Sequence, residues 1–100
     1  MERTKGDRMA KVIVRARVAY PKSLLEKLRE QAPMRTTHGE RGASYCALAD
    51  DLNVGYCIFD WESVESAKSF WASPQGKAHT AEWHSAEKPE ILILQDAPSR

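Results

Sequence analysis

Lys11-Val12-Ile13-Val14-Arg15-Ala16-Arg17-Val18-Ala19-Tyr20-Pro21 is the stretch on which the fold turns. Its β-branched residues favour extended backbone. Alternation with period two puts Val12, Val14, Ala16 and Val18 on one face, and Ile13, Arg15, Arg17 and Ala19 on the other. Pro21 stops the strand and suits the first position of a helix, where its missing N–H costs nothing. From Lys22 onward Leu24, Leu25, Leu28 and Ala32 recur at spacings of three and four, which predicts an amphipathic helix with its apolar stripe toward the sheet. Pro33 is expected to end or kink that helix, because it removes a donor and its ring crowds the preceding turn.

Downstream, Gly39 and Gly42 bracket a loop. Ala43 to Ala49 and Val54 to Trp61 read as two strands joined through Asp50, Asp51, Leu52 and Asn53, a hairpin by composition. With Asp51-Leu52 as the turn, Cys46 would stand opposite Cys57; Asp-Leu is a poor primed turn, and a longer loop shifts that register. Ser63 is a good N-cap for a helix through Val64, Ala67, Phe70 and Trp71. Ser73-Pro74 begins a fresh segment, expected to run to about His84 at an angle to the first. After Pro89, Ile91 to Leu94 is a short apolar strand. The order β-α-β-β-α-β, with helices on one face of an antiparallel sheet, is the ferredoxin-like arrangement of the α+β class.

The composition bounds the rest. At 100 residues one core is the natural expectation. We read residues 1–10 as a flexible tail, with Met9 an alternative start, and 11–97 as the single domain. With 42% hydrophobic and 29% charged residues the chain is ordinary for a globular protein, and a net charge of +1 gives no case for nucleic acid or an anionic membrane. No apolar run approaches the roughly 20 residues of a membrane span. The charged start of the chain lacks the apolar stretch of a signal peptide, which makes the cytoplasm the expected location. Two cysteines are too few for a disulfide scaffold. There is no phosphate-cradling glycine loop, no zinc-spaced Cys/His cluster and no Gly-x-Ser-x-Gly elbow.

Three segments carry a resemblance: Val12 to Val18 followed by Pro21 and a helix; Gly42-Ala43-Ser44-Tyr45 opening the second strand; and Phe59-Asp60-Trp61-Glu62-Ser63-Val64-Glu65-Ser66-Ala67 leading to Phe70-Trp71-Ala72-Ser73-Pro74. Together they span Lys11 to Asp96 and resemble the dimeric α/β-barrel superfamily, which includes the antibiotic biosynthesis monooxygenase-like (ABM) domains. The resemblance implies a homodimer in which two sheets face each other and the helices lie outside. It also implies a pocket between sheet and helices or inside the barrel. Members include cofactor-independent monooxygenases, haem-degrading oxygenases, isomerases and proteins with no known activity, so the fold transfers little about reaction. The haem-degrading branch places a Trp early in the second helix and a His some turns later, as Trp71 and His79 stand here. Their spacing is two residues short of the usual one, and the branch's strand Asn is met by Arg15, Ala16 and Arg17.

Several residues are candidates for chemistry. His79 shares a helix face with Trp83 at four and Glu82 at three, so it could shuttle a proton beside an aromatic wall that includes Trp71. The alternative is a half-exposed helical His with the tryptophans in the core. Arg15 and Arg17, on the face assigned to the barrel interior, could hold a carboxylate. Equally they could pair with Asp60, Glu62 or Glu90. Tyr45 and Tyr56 lie on adjacent strands; sharing a face, they could polarise a carbonyl, and otherwise they are cross-strand packing. Cys46 and Cys57 read as small core thiols, and His38 as a turn residue near a pocket mouth. Two functional readings stay open, and the lack of a tight catalytic constellation leaves the enzyme question undecided: one is a monooxygenase-like enzyme with no cofactor, acting on a small aromatic or apolar substrate. The alternative is a non-catalytic dimer that binds a small ligand or merely assembles, with haem degradation a third reading.

Overall fold

The computed structural model describes residues 9–95. The chain runs β1 (Ala10–Arg17), α1 (Pro21–Thr37), β2 (Glu40–Leu48), β3 (Asp51–Trp61), α2 (Val64–Ala72), α3 (Pro74–Ala81) and β4 (Glu90–Gln95). The strands form one antiparallel sheet in the order β2-β3-β1-β4, an α+β, ferredoxin-like arrangement. Of the expected tail at 1–10, residues 1–8 lie outside the described residues, as do Asp96 and Ala97; Ala10 already belongs to β1, opposite Trp61 and Gln95.

The period-two pattern of β1 is realised. Val12, Val14 and Ala16 are buried beneath the helices with Leu24, Leu28, Cys57, Phe59, Trp61, Ala67, Phe70, Trp71 and Trp83, while Ile13, Arg15 and Arg17 stay half-exposed on the other face. Four aromatic rings pack edge-on or stacked in this core: Phe59, Trp61, Phe70 and Trp71, with centroids 5.3–6.4 Å apart.

Capping chemistry sets the helix boundaries. Ser63 Oγ accepts from the Ser66 N–H at the start of α2, and Ser73 Oγ accepts from the Gly76 N–H at the start of α3, with Pro74 at the first helical position. Gly39 turns the chain from α1 into β2 at φ 125°, and a Cβ there would lie 2.6 Å from both Ser66 Oγ and Trp61 Nε1.

Two expectations are corrected. Pro33 does not end α1, which continues to Thr37. Its exposed ring leaves only a water-facing turn without a donor, while the buried Gln31 and Arg35 on either side tie the helix to β2 and α3. The strands are not joined through Asp50 to Asn53: the chain turns at Ala49-Asp50, just after a bulge between Ala47 and Leu48. Asp51 accepts from the Asn53 N–H and from Arg17, and the Asn53 amide donates to the Val18 and Ala19 carbonyls, so these residues join the strand. The register therefore pairs Tyr45 with Cys57 and Cys46 with Tyr56.

Candidate functional site

Between α1 and the β2–β3 half of the sheet lies a cavity of about 180 Å³. Pro21, Leu24, Leu25 and Leu28 roof it, and Tyr45, Gly55 and Cys57 supply its floor. Leu52, 66% exposed, stands at its rim. The gap exists because α1 offers only aliphatic side chains here, while the strands below carry Gly55 and Ala47. A wall of α2 and α3 was expected instead; their aromatic rings interlock in the core and leave that space filled.

One polar group of the lining is held from behind. Arg35, with no exposure at all, donates through Nη2 to the Tyr45 hydroxyl at 2.9 Å, through Nε to Glu40 Oε1 at 2.5 Å and through Nη1 to His79 Nε2 at 3.1 Å. Its guanidinium carbon sits 4.7 Å from the centre of the Phe59 ring. The Tyr45 oxygen is therefore an acceptor from Arg35, and its own proton remains free to donate. Burial raises the Tyr45 pKa, the nearby Arg35 only partly opposing it, so the phenol is a neutral donor near pH 7. Burial likewise pushes the Cys57 thiol up to about 12 and leaves it un-ionised.

His79 is a core residue rather than a half-exposed one. Its side chain is 1% exposed, wedged against Phe70, Trp71 and Trp83 at centroid distances of 5.2–5.7 Å. Burial, reinforced by the Arg35 charge, lowers its pKa to about 3, so the ring is neutral. Since Nε2 accepts from Arg35, the ring proton is on Nδ1. That Nδ1 and the Trp71 Nε1 are buried without a hydrogen-bond partner. Gln31 completes the polar layer: its amide nitrogen donates to the His79 carbonyl and to Glu82, and its oxygen accepts from Trp83 Nε1.

The remaining candidates lie elsewhere. Arg15 donates to the Tyr56 hydroxyl at 3.2 Å on the open face of the sheet, and Arg17 pairs with Asp51 at 3.0 Å and, more distantly, with Glu87. Asp60 and Glu62, expected partners, are taken by Lys11 and Arg41. Tyr45 and Tyr56 do not share a face: Tyr45 follows Cys57 toward the helices, and Tyr56 follows Arg15 away from them, although Tyr56 and Cys46 border the cavity along the β2–β3 edge. Trp71 and Trp83 are buried, and Trp83 also borders a second, more polar groove with Tyr20, Lys27 and Glu82. His38 is tucked against Phe70, its Nδ1 on the Met34 carbonyl. The sheet thus divides the expected constellation into two faces.

Sequence reasoning missed Gln31, Arg35 and Glu40. The signal was present in α1: Leu24, Leu28, Gln31 and Arg35 follow the same three- and four-residue spacing, so the two polar residues continue the buried stripe.

Among the described residues, no three His, Cys, Asp or Glu side chains gather as a metal-ligating group, and no helix is long and apolar enough to cross a membrane. Haem does not fit the cavity under α1. The Nε2 of His79 is committed to Arg35, the ring does not reach the cavity, and about 180 Å³ is far too small for the macrocycle.

The fold is that of the antibiotic biosynthesis monooxygenase-like proteins. Over 92% of this chain and 96% of the other, it superposes on SnoaB from Streptomyces nogalater, a cofactor-independent oxygenase, with a TM-score of 0.73 at 14% identity. An antibiotic biosynthesis monooxygenase matches with a TM-score of 0.67 at 12% identity, covering 89% of this chain and 99% of the other. A conserved protein from Methanosarcina mazei Go1 matches with 0.64 at 13%, over 92% and 96% of the two chains. No family model and no curated relative matches the sequence. At such identities the likeness defines the architecture, and the chemistry has to be argued from the cavity.

Proposed function

We propose that the chain binds a small aromatic ligand in the cavity under α1 and acts on it as a cofactor-independent monooxygenase-like enzyme. The observation that carries this reading is the apolar cavity lined by Tyr45, whose hydroxyl is held by the buried Arg35–Glu40 pair. An electron-rich substrate placed there loses water from its surface, and Tyr45 donates to its carbonyl or phenol oxygen. Negative charge developing on that oxygen is stabilised by a donor already held in place. The substrate supplies all four electrons that O2 takes up: a CH2 beside the polarised carbonyl and one O2 become C=O and water.

A second reading has its own support. Tyr45 and Cys57 both hold their protons near neutral pH, and neither His79 nor any Asp or Glu among the described residues lines the cavity, so these groups offer no base for a substrate proton. A substrate acidic enough to ionise unaided would meet this condition. Otherwise the cavity is a binding site without turnover.

The test is oxygen uptake with a panel of one- and two-ring phenols and ketones, alongside calorimetric binding. Uptake above the uncatalysed rate, reduced at least about tenfold in Tyr45→Phe, supports the enzyme. Binding without uptake supports the carrier, and absence of both refutes the cavity as a site.

We also propose that the chain is a homodimer. Leu92 and Leu94 are 46% and 44% exposed, and Ile13 and Ile58 lie paired across β1 and β3 on the open face with Leu92 beside them, an apolar strip suited to a second copy.

A further inference from the structure

We infer that Gly55 sets the size of the ligand this cavity takes, limiting it to one ring or two small fused rings; this rests on the cavity being the binding site. Gly55 lies inside β3, paired with Ala16 on one side and Ala47 on the other. Glycine weakens a strand interior, and it is ordinarily explained by a left-handed φ, a bulge, a close backbone or a ligand. The first does not hold, since the positive-φ glycine among the described residues is Gly39. The neighbouring bulge does not require it either, because Gly55 keeps its partners on both sides. Nor does backbone press on it: a Cβ would stand 3.8 Å from the Cys46 carbonyl oxygen and 4.0 Å from that of Ala16.

What a Cβ would meet first is Leu24 Cδ2, at 3.6 Å, an ordinary contact across the cavity. A methyl group therefore fits without strain and closes the narrow gap between Gly55 and Leu24 at one side of the cavity. The free space is about 180 Å³, little more than the roughly 150 Å³ that admits benzene in an apolar protein cavity. Arg35 does not line this space, so the ligand meets a neutral phenol and thiol rather than a cation. The compound that matches is uncharged, flat and small, with one acceptor oxygen for Tyr45.

The probes are acetophenone and 1-tetralone, neutral ketones of one and two rings, titrated calorimetrically into wild type, Gly55→Ala and Gly55→Ala/Leu24→Ala. Wild type is expected to bind both. Gly55→Ala should lose at least about tenfold in affinity for 1-tetralone while holding acetophenone within about threefold, the range one added methyl spans in an apolar pocket. Its unfolding temperature should equal or exceed that of wild type. Truncating Leu24 in that background should restore 1-tetralone binding. Unchanged 1-tetralone affinity in Gly55→Ala overturns the inference, and so does a variant that fails to fold or melts lower, since the glycine would then serve the backbone. If wild type binds neither ketone, the cavity reading itself falls, an outcome distinct from either of these.

Discussion

Lowering the pH from 7 to 5 should destabilise this protein through His79 in particular. In the folded chain the ring is 1% exposed and stands 3.1 Å from the Arg35 guanidinium, and its pKa is about 3. In the unfolded chain an imidazole titrates near 6.5. Below that value the unfolded state takes up a proton that the folded state refuses, so stability is lost as pH falls from about 6.5 toward 3. Between pH 7 and 5 the difference amounts to about 2 kcal/mol. Urea unfolding at fixed protein concentration, followed by the fluorescence of the buried Trp61, Trp71 and Trp83, reads it directly. His79→Gln keeps an acceptor for Arg35 and cannot titrate. It costs stability at every pH through lost ring packing, yet its loss between pH 7 and 5 should be smaller than that of wild type by about 2 kcal/mol. Carboxylates elsewhere affect both proteins alike and cancel. Parallel curves for the two proteins would refute the burial of a neutral His79.

Removing Arg35 as Arg35→Met should cost about 3–5 kcal/mol, because Glu40 is left buried without its cation; adding Glu40→Leu should recover much of that loss. Chemical unfolding of the three proteins checks both outcomes. A thiol reagent should modify the buried Cys57 only after unfolding. Intact mass without reductant should show no two-hydrogen deficit, since the two residues sit on opposite faces of the sheet. Sedimentation at micromolar concentration should give a dimer, and a stable monomer there would refute the use of the open face as an interface.

The fold was legible where local chemistry decides it. Alternation in β1, the leucine spacing of α1 and the serine caps at 63 and 73 each act within a few residues, and all three are realised. The hairpin register has a non-local cause: Asn53 is drawn into β3 by carbonyls at Val18 and Ala19, 35 and 34 residues away. Pro33, expected to end or kink α1, does not end it, because what carries the helix past it is contact with Glu40 and with the far segment at His79. The candidate site was less legible still. Trp71, His79 and Trp83 look the same in sequence whether they wall a pocket or fill a core. Which of these they do depends on how tightly Phe59, Trp61 and Phe70 pack against them.

The stripe along α1 shows how the two halves of the site depend on each other. Leu24 and Leu28 roof the cavity, and Gln31 and Arg35 on the same face anchor the helix to α3 and β2. Burying a charged Arg with a Glu contributes little stability beyond what well-packed apolar side chains of similar volume would supply. Its distinctive effect is directional. Arg35 offers donors at fixed angles to Glu40, His79 and Tyr45, and each contact fixes the next. Glu40 neutralises the cation, and the neutral His79 accepts without adding charge. The Tyr45 oxygen is then held from behind, its proton left available to a ligand. An apolar replacement could keep the fold but not that orientation, so the network acts through Tyr45, at the cavity.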